Sequence, residues 1–84
     1  MNRDQVVAIF GAEIGRIAPE IPFDDVDRTE DLRDAFEIDS MDFLNLVTAL
    51  HKRLGVEIPE TDYAKLHSVD AAVDYLVAQS EGAT

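Results

Sequence analysis

The sequence predicts an all-α fold: a four-helix bundle with three main helices, a short third one, and a long loop between the first and second. Three observations carry this reading. Apolar residues recur at helical spacing in three stretches, cap and turn residues punctuate those stretches, and no segment alternates cleanly enough to be a strand. One domain over residues 1–84 accounts for the chain, with helices at about 3–17, 40–54, 60–66 and 68–79. No internal repeat or second domain is visible.

Asn2 followed three residues later by Gln5 is a weak capping box, and Val6, Phe10, Ile14 and Ile17 then recur at spacings of four, four and three. A first helix from about Arg3 to Ile17 follows, stopped by Pro19 and Pro22. Gly11 and Gly15 each cost that helix about 1 kcal/mol relative to alanine, which predicts fraying at its C-terminal end. From Ala18 to Asp39 no long helical period appears, and connections of this length inside small domains are usually functional or disordered. Ile21, Phe23, Val26, Leu32, Phe36 and Ile38 interrupt its acidic residues as anchors to the core, with one short turn expected at Thr29–Phe36.

The second helix carries the clearest periodicity. Counted at 100° per residue, Phe43, Leu46, Val47, Leu50 and Leu54 fall within about 100° of arc and should face the core. Met41, Leu44 and Thr48 lie on a sector roughly 100–160° away and should be at least partly solvent-facing. Gly55 follows as a C-terminal glycine, and Lys52 and Arg53 complement the helix dipole. Ile58-Pro59 forces an extended residue before the short segment Glu60–Leu66. Ser68 caps a last helix whose Val69, Ala72, Val73 and Leu76 keep the helical period, and Ser80 to Thr84 reads as a frayed tail.

Composition narrows the function. The chain has 84 residues, no cysteine and a formal charge of −11, with 46% hydrophobic residues. A core of this size supplies about 3–5 kcal/mol of net stability. Disulfides and thiolate metal sites are excluded, and no apolar stretch is long enough for a membrane span or a secretory signal. The charge disfavours nucleic acid and anionic lipid, and points to partners with basic surfaces and to salt-dependent stability. A cytoplasmic monomer is expected.

Ser40 stands where a polar, turn-favouring run gives way to the apolar period of the second helix. One reading makes Asp39 and Ser40 simple caps, with Asp42 three residues after Asp39 imitating a capping box. The other makes Ser40 an attachment point, because free N–H groups and the helix dipole favour a phosphate there. Hydrolytic chemistry is excluded by the lack of a Gly-x-Ser-x-Gly elbow. His51 lies about 16 Å further along the same helix, and His67 reads as a loop residue. No catalytic residue and no metal ligand is expected. A calcium loop built on Asp25, Asp27 and Glu30 fails because Glu30 stands where glycine is required and Phe36 where glutamate is.

Asp39-Ser40-Met41 resembles the Asp-Ser-Leu modification motif of acyl carrier proteins. The surroundings are similar too: Ile9-Phe10-Gly11 in the first helix, Asp31-Leu32 in the long loop, Ala49-Leu50, the Leu54-Gly55-Val56-Glu57-Ile58-Pro59 run, and Ser68-Val69-Asp70-Ala71-Ala72-Val73-Asp74-Tyr75-Leu76. The motif alone is short; together with the Gly-x-x-Ile-Pro run at its distance it is specific. The resemblance implies that Ser40 carries 4′-phosphopantetheine, transferred from coenzyme A by a magnesium-dependent phosphopantetheinyl transferase, beside the motif residue Asp39. The chain would be a non-catalytic carrier of thioester-linked acyl groups, and the arm would supply the thiol that the sequence lacks. By the same resemblance, enzymes with basic docking patches that load, elongate or transfer acyl groups would meet Met41, Asp42, Leu44, Glu37, Glu57 and Glu60, with Asp39 and Asp62 as further acids. Phe43, Leu46, Val47, Leu50 and Leu66 would form an acyl pocket.

The chain departs from the family pattern at three places. Glu37 replaces a usual glycine two positions before Asp39-Ser40, which makes the approach bulkier. His51-Lys52-Arg53 and Asn45 replace acids of the second helix, through either dipole complementation or a changed docking surface. Phe43 stands where a smaller residue is common near the pocket mouth, which predicts a short or specialised cargo. The chain begins with Met and lacks linker-like ends, so a discrete carrier in a specialised fatty-acid, polyketide or lipid pathway is expected. The alternatives are an aminoacyl carrier and an unmodified helical interaction module with the same fold.

Overall fold

A computed structural model describes residues 2–82 of the chain. The first helix, α1, spans Arg3–Ile17 and opens on a complete capping box: Gln5 N–H donates to Asn2 Oδ1 at 2.8 Å and Asn2 N–H to Gln5 Oε1 at 2.9 Å. Val6, Phe10 and Ile14 are fully buried. The expected fraying does not occur. The helix runs to Ile17, with Ala18 N–H closing onto the Ile14 carbonyl at 2.8 Å, because the buried Ile14 side chain holds the last turn in place.

The long connection contains more structure than one turn. A 3-10 turn spans Phe23–Asp25 and a five-residue helix, α2, spans Leu32–Phe36. Asp27 accepts from both the N–H and the hydroxyl of Thr29, at 2.8 and 2.6 Å, which holds its carboxyl below the usual range. Asp31 caps α2 by accepting from Arg33 and Asp34 N–H at 3.0 and 3.3 Å. Leu32, Phe36 and Ile38 are buried, while Ile21, Phe23 and Val26 pack at the core's edge. The Phe23 ring lies 6.0 Å from Phe10 and stacks on Phe36 at 6.4 Å, with the Arg28 guanidinium carbon 5.3 Å from its centroid. Two backbone bonds tie the connection to the start of the last helix: Leu32 N–H to the His67 carbonyl and Asp70 N–H to the Arg28 carbonyl, at 2.8 and 3.0 Å. The resulting isolated bridge, Asp31 to Ser68, is the β feature seen among the described residues.

The third helix, α3, spans Ser40–Leu54. Leu46, Val47 and Leu50 are buried, whereas Phe43 and Leu54 sit half-buried at the ends of the stripe. Met41 and Leu44 are 65% and 43% exposed, on the opposite sector as their angles require. Gly55 takes the left-handed conformation, φ +68°, where a side chain is strained, and its N–H closes onto the His51 carbonyl at 2.9 Å. A 3-10 segment, Glu60–Leu66, follows Pro59, and α4 spans Val69–Gly82 with Ser68 Oγ accepting from Ala71 N–H at 3.1 Å.

The frayed tail expected from Ser80 is corrected: the helix continues through Ser80 and Glu81 to Gly82. Gln79 anchors its last turns by donating to the Glu57 carbonyl at 3.0 Å and to Tyr75 Oη at 3.1 Å. Ala83 and Thr84 lie outside the described residues. Among the described residues, no helix is long and apolar enough to cross a membrane.

The 3-10 segment is held to α4 by Tyr75, whose hydroxyl donates to Asp62 Oδ2 at 2.6 Å. That bond is the main cause holding the Asp62 carboxyl below its usual range, while burial and then Asp62 push the Tyr75 phenol up to about 12. The fold therefore favours the protonated phenol. Its contribution is complete below the ordinary tyrosine value of about 10 and is lost as pH rises through about 12. Urea midpoints taken from neutral to strongly alkaline pH should fall more steeply for the wild type than for Tyr75→Phe across that window. Parallel curves would remove the pair from the alkaline response.

Candidate functional site

The site is made where α2 hands over to α3. Glu37 closes α2 in the left-handed conformation, φ +54°, a region that L side chains enter at a cost. The N–H groups of Glu37 and Ile38 both reach back to the Arg33 carbonyl, the latter at 3.0 Å, and the Ile38 side chain is buried beneath the turn. These features form a Schellman-type close, with glutamate where glycine is the unstrained choice. It turns the chain sharply enough for a second helix to begin three residues later.

Asp39 is the N-cap of that helix. Its backbone is extended, its Oδ1 accepts from Asp42 N–H at 2.8 Å, and Asp42 Oδ2 accepts from Asp39 N–H at 3.4 Å. The capping role therefore falls to the Asp39–Asp42 pair, and Ser40 becomes the first residue of the helix, exposed, with a hydroxyl that the backbone does not use. Its polar partner is Arg33, whose Nη1 donates to Ser40 Oγ at 3.2 Å. Arg33 was absent from the residues expected at the site, because no helical period links positions seven apart across a chain reversal.

Ser40 and Arg33 line a solvent-open cavity of about 330 Å³, whose apolar lining comes mainly from Leu32, Phe43, Leu44, Tyr63 and Leu66. Phe43 and Tyr63 meet edge to face at 5.9 Å, joining α3 to the 3-10 segment across this space. Of the five residues expected to form an acyl pocket, Phe43 and Leu66 line it. Leu46 and Leu50 are buried in the core outside that lining, and Val47 contributes to a separate hollow with His51 and Tyr63. A more polar hollow of about 520 Å³ adjoins Glu37 and Asp42 from the direction of Ile17–Ile21.

Glu37, Asp39, Glu57 and Glu60 are exposed, whereas Asp42 is half-buried and engaged in the capping box. Asp62 is taken up by Tyr75 and by Lys65 at 3.3 Å. The basic run late in α3 has a structural explanation beyond its dipole. His51 Nδ1 meets the Val56 carbonyl at 2.6 Å and so acts as the donor there. Arg53 pairs at 3.1 Å with Glu13, which is 4% exposed. Lys52 is exposed, without an ion pair among the described residues.

Comparisons with known proteins agree with this geometry. The family model described as "Phosphopantetheine attachment site" matches residues 4–76. The chain is 34% identical over 76 residues to an acyl carrier protein of Acidothermus cellulolyticus, covering 90% of this chain and 89% of that protein. It is 33% identical over 68 residues to one of Rubrobacter xylanophilus, covering 81% and 73%. A mitochondrial acyl carrier protein of Neurospora crassa is 39% identical over 44 residues, 52% of this chain and a third of that longer protein. Among solved structures, the acyl carrier protein of Enterococcus faecalis superposes with a TM-score of 0.74 at 30% identity, covering 94% of this chain and 99% of that one.

The strained close of α2 yields a stability test. Glycine at position 37 removes a left-handed cost of about 1–2 kcal/mol and adds roughly 0.5–1 kcal/mol of unfolded-state entropy. Glu37→Gly should therefore raise stability by about 0.5–1 kcal/mol in urea unfolding. Glu37→Gln changes the charge alone and should not reproduce the gain. Equal effects of the two substitutions would assign the change to charge instead of backbone.

Proposed function

The chain belongs to the acyl carrier protein family, with that family's phosphopantetheine attachment site, and we propose that Ser40 is the residue to which the arm is joined. As a member it is a non-catalytic carrier of phosphopantetheine-linked acyl groups. One observation carries the assignment of Ser40: Asp39 and Asp42 satisfy the start of α3, which leaves an exposed hydroxyl at the first position of a 15-residue helix. A phosphodiester suits that position, because the N-terminal N–H groups and dipole favour an anion and Arg33 supplies a cation beside the oxygen. The 4′-phosphopantetheine arm, taken from coenzyme A, brings the thiol that holds the acyl group as a thioester. Asp39 keeps the backbone in place, and α3 holds Ser40 outward.

Family membership implies a phosphopantetheinyl transferase and acyl-processing enzymes as partners. Met41 and Leu44, exposed next to Ser40, suit the apolar centre of a docking face, with Glu37, Asp42, Glu57 and Glu60 as its acidic surround. A specialised fatty-acid, polyketide or lipid pathway is the setting proposed, in a single carrier domain that acts as a monomer. A cytoplasmic location is part of the same proposal.

Incubation with coenzyme A, magnesium and a broad-specificity phosphopantetheinyl transferase should add one phosphopantetheinyl mass to the intact protein and none to Ser40→Ala. No gain, with an ordinary carrier converted in parallel, would leave an unmodified interaction module as the reading.

The proposed cargo is short or specialised, because Phe43 and Tyr63 fill part of the cavity beside Ser40 with their edge-to-face contact, and Leu46 and Leu50 are packed in the core outside its lining. With a long saturated chain loaded, amide shifts should concentrate at Phe43, Tyr63 and Leu66, and Phe43→Ala should extend them to Leu46 and Leu50. Deep perturbations in the wild type would contradict this.

A further inference from the structure

We infer that Arg33 is a positioning residue that holds the phosphodiester on Ser40, so that the arm leaves the protein surface clamped at the cavity instead of swinging freely. The inference rests on Ser40 as the attachment residue, and starts from the 3.2 Å bond of Arg33 Nη1 to Ser40 Oγ. A phosphorus atom on Oγ carries its non-bridging oxygens one bond further out, within the span of the same guanidinium. A planar guanidinium can present two parallel N–H groups to a phosphate, which a lysine ammonium cannot match.

Three observations support the clamp. First, the Arg33 backbone is fixed at both polar groups: its N–H donates to Asp31 Oδ1 at 3.0 Å, and its carbonyl accepts from Ile38 N–H at 3.0 Å. Only side-chain torsions remain to be ordered, which lowers the entropy cost of the contact. Second, Arg33 has no ion pair to a carboxylate among the described residues. Arg3, Arg16, Arg53 and Lys65 all have such pairs, Arg28 covers Phe23, and Lys52, also without a pair, is not among the residues that line the cavity with Ser40. Third, the neighbouring charges in the chain are Asp31, Asp34, Glu37, Asp39 and Asp42. A phosphodiester monoanion placed among those carboxylates is repelled unless a cation stands beside it, and Arg33 is the cation in contact with Ser40.

Arg33 also lines the cavity together with Ser40, Leu32, Phe43 and Tyr63. A phosphate held by Arg33 therefore starts the pantetheine chain along that cavity. The same contact, screened by salt, makes the resting arm sensitive to ionic strength.

The test uses wild type, Arg33→Gln and Arg33→Lys, each converted to the holo form and checked by intact mass. Arg33 is exposed, so both variants should fold, which far-UV circular dichroism and urea midpoints verify. In the wild type, the Arg33 side-chain Nε–Hε resonance should shift between apo and holo forms, and its exchange with water should slow several-fold. The phosphorus resonance should move and narrow in Arg33→Gln, take an intermediate value in Arg33→Lys, and move the same way when wild-type holo-protein is taken to high salt. Full conversion of all three with one common phosphorus resonance and an unmoved Arg33 signal would overturn the clamp and leave Ser40 standing. Absence of the added mass, or its persistence in Ser40→Ala, would overturn the assignment of Ser40 and the clamp with it.

Discussion

The connection between α1 and α3 must hold one shape with only a 3-10 turn and five helical residues of its own, and a column of three phenylalanines makes that possible. Phe10 from α1, Phe23 from the connection and Phe36 from α2 meet ring to ring, each pair adding about 0.5–1.5 kcal/mol beyond its burial. The backbone bonds to His67 and from Asp70 fix the outer edge of the same segment. Everything at the site follows from this anchoring: Phe36 precedes Glu37, the close of α2 places Asp39, and Asp39 places Ser40.

The helices with long apolar periods were legible because their stripes are core positions, as Leu46, Val47 and Leu50 are. Asp39-Ser40 was legible as a helix start, and the capping box assigned to Asp39 and Asp42 is the one observed. The connection was legible only as anchors. Its turns are shorter than a helical period can reveal, and what stabilises them is contact with α1 and with residues 67–70, distant in sequence. Arg33 was missed for a related reason: its contact to Ser40 exists only after the left-handed residue Glu37 reverses the chain. The end of α4 was misread because the polar residues after Val77 gave no sign that Gln79 would bond to Glu57 and Tyr75.

The charge of the chain is distributed with more purpose than its total suggests. Glu13 is a buried acid on α1, which is tolerable only with a cation at hand, and Arg53 from the end of α3 provides it. His51 closes the turn after α3. Of the three residues late in α3, Arg53 thus joins two helices and His51 closes a turn, while the unpaired carboxylates remain outside. An acidic exterior of this kind raises encounter rates with basic surfaces more than it raises affinity, which suits a protein that must release each partner.

Gly11 shows how closely the connection is packed against α1. A Cβ at residue 11 would meet the Phe23 ring at 3.3 Å, and that ring is also in contact with Phe36 and Arg28. A side chain there requires the Phe23 ring to give by a few tenths of an ångström, against its contacts with Phe36 and Arg28. A larger residue at position 11 is therefore best accommodated by a smaller one at position 23. The close packing of α1 against the connection thus constrains side-chain size at a position well removed in sequence from Ser40.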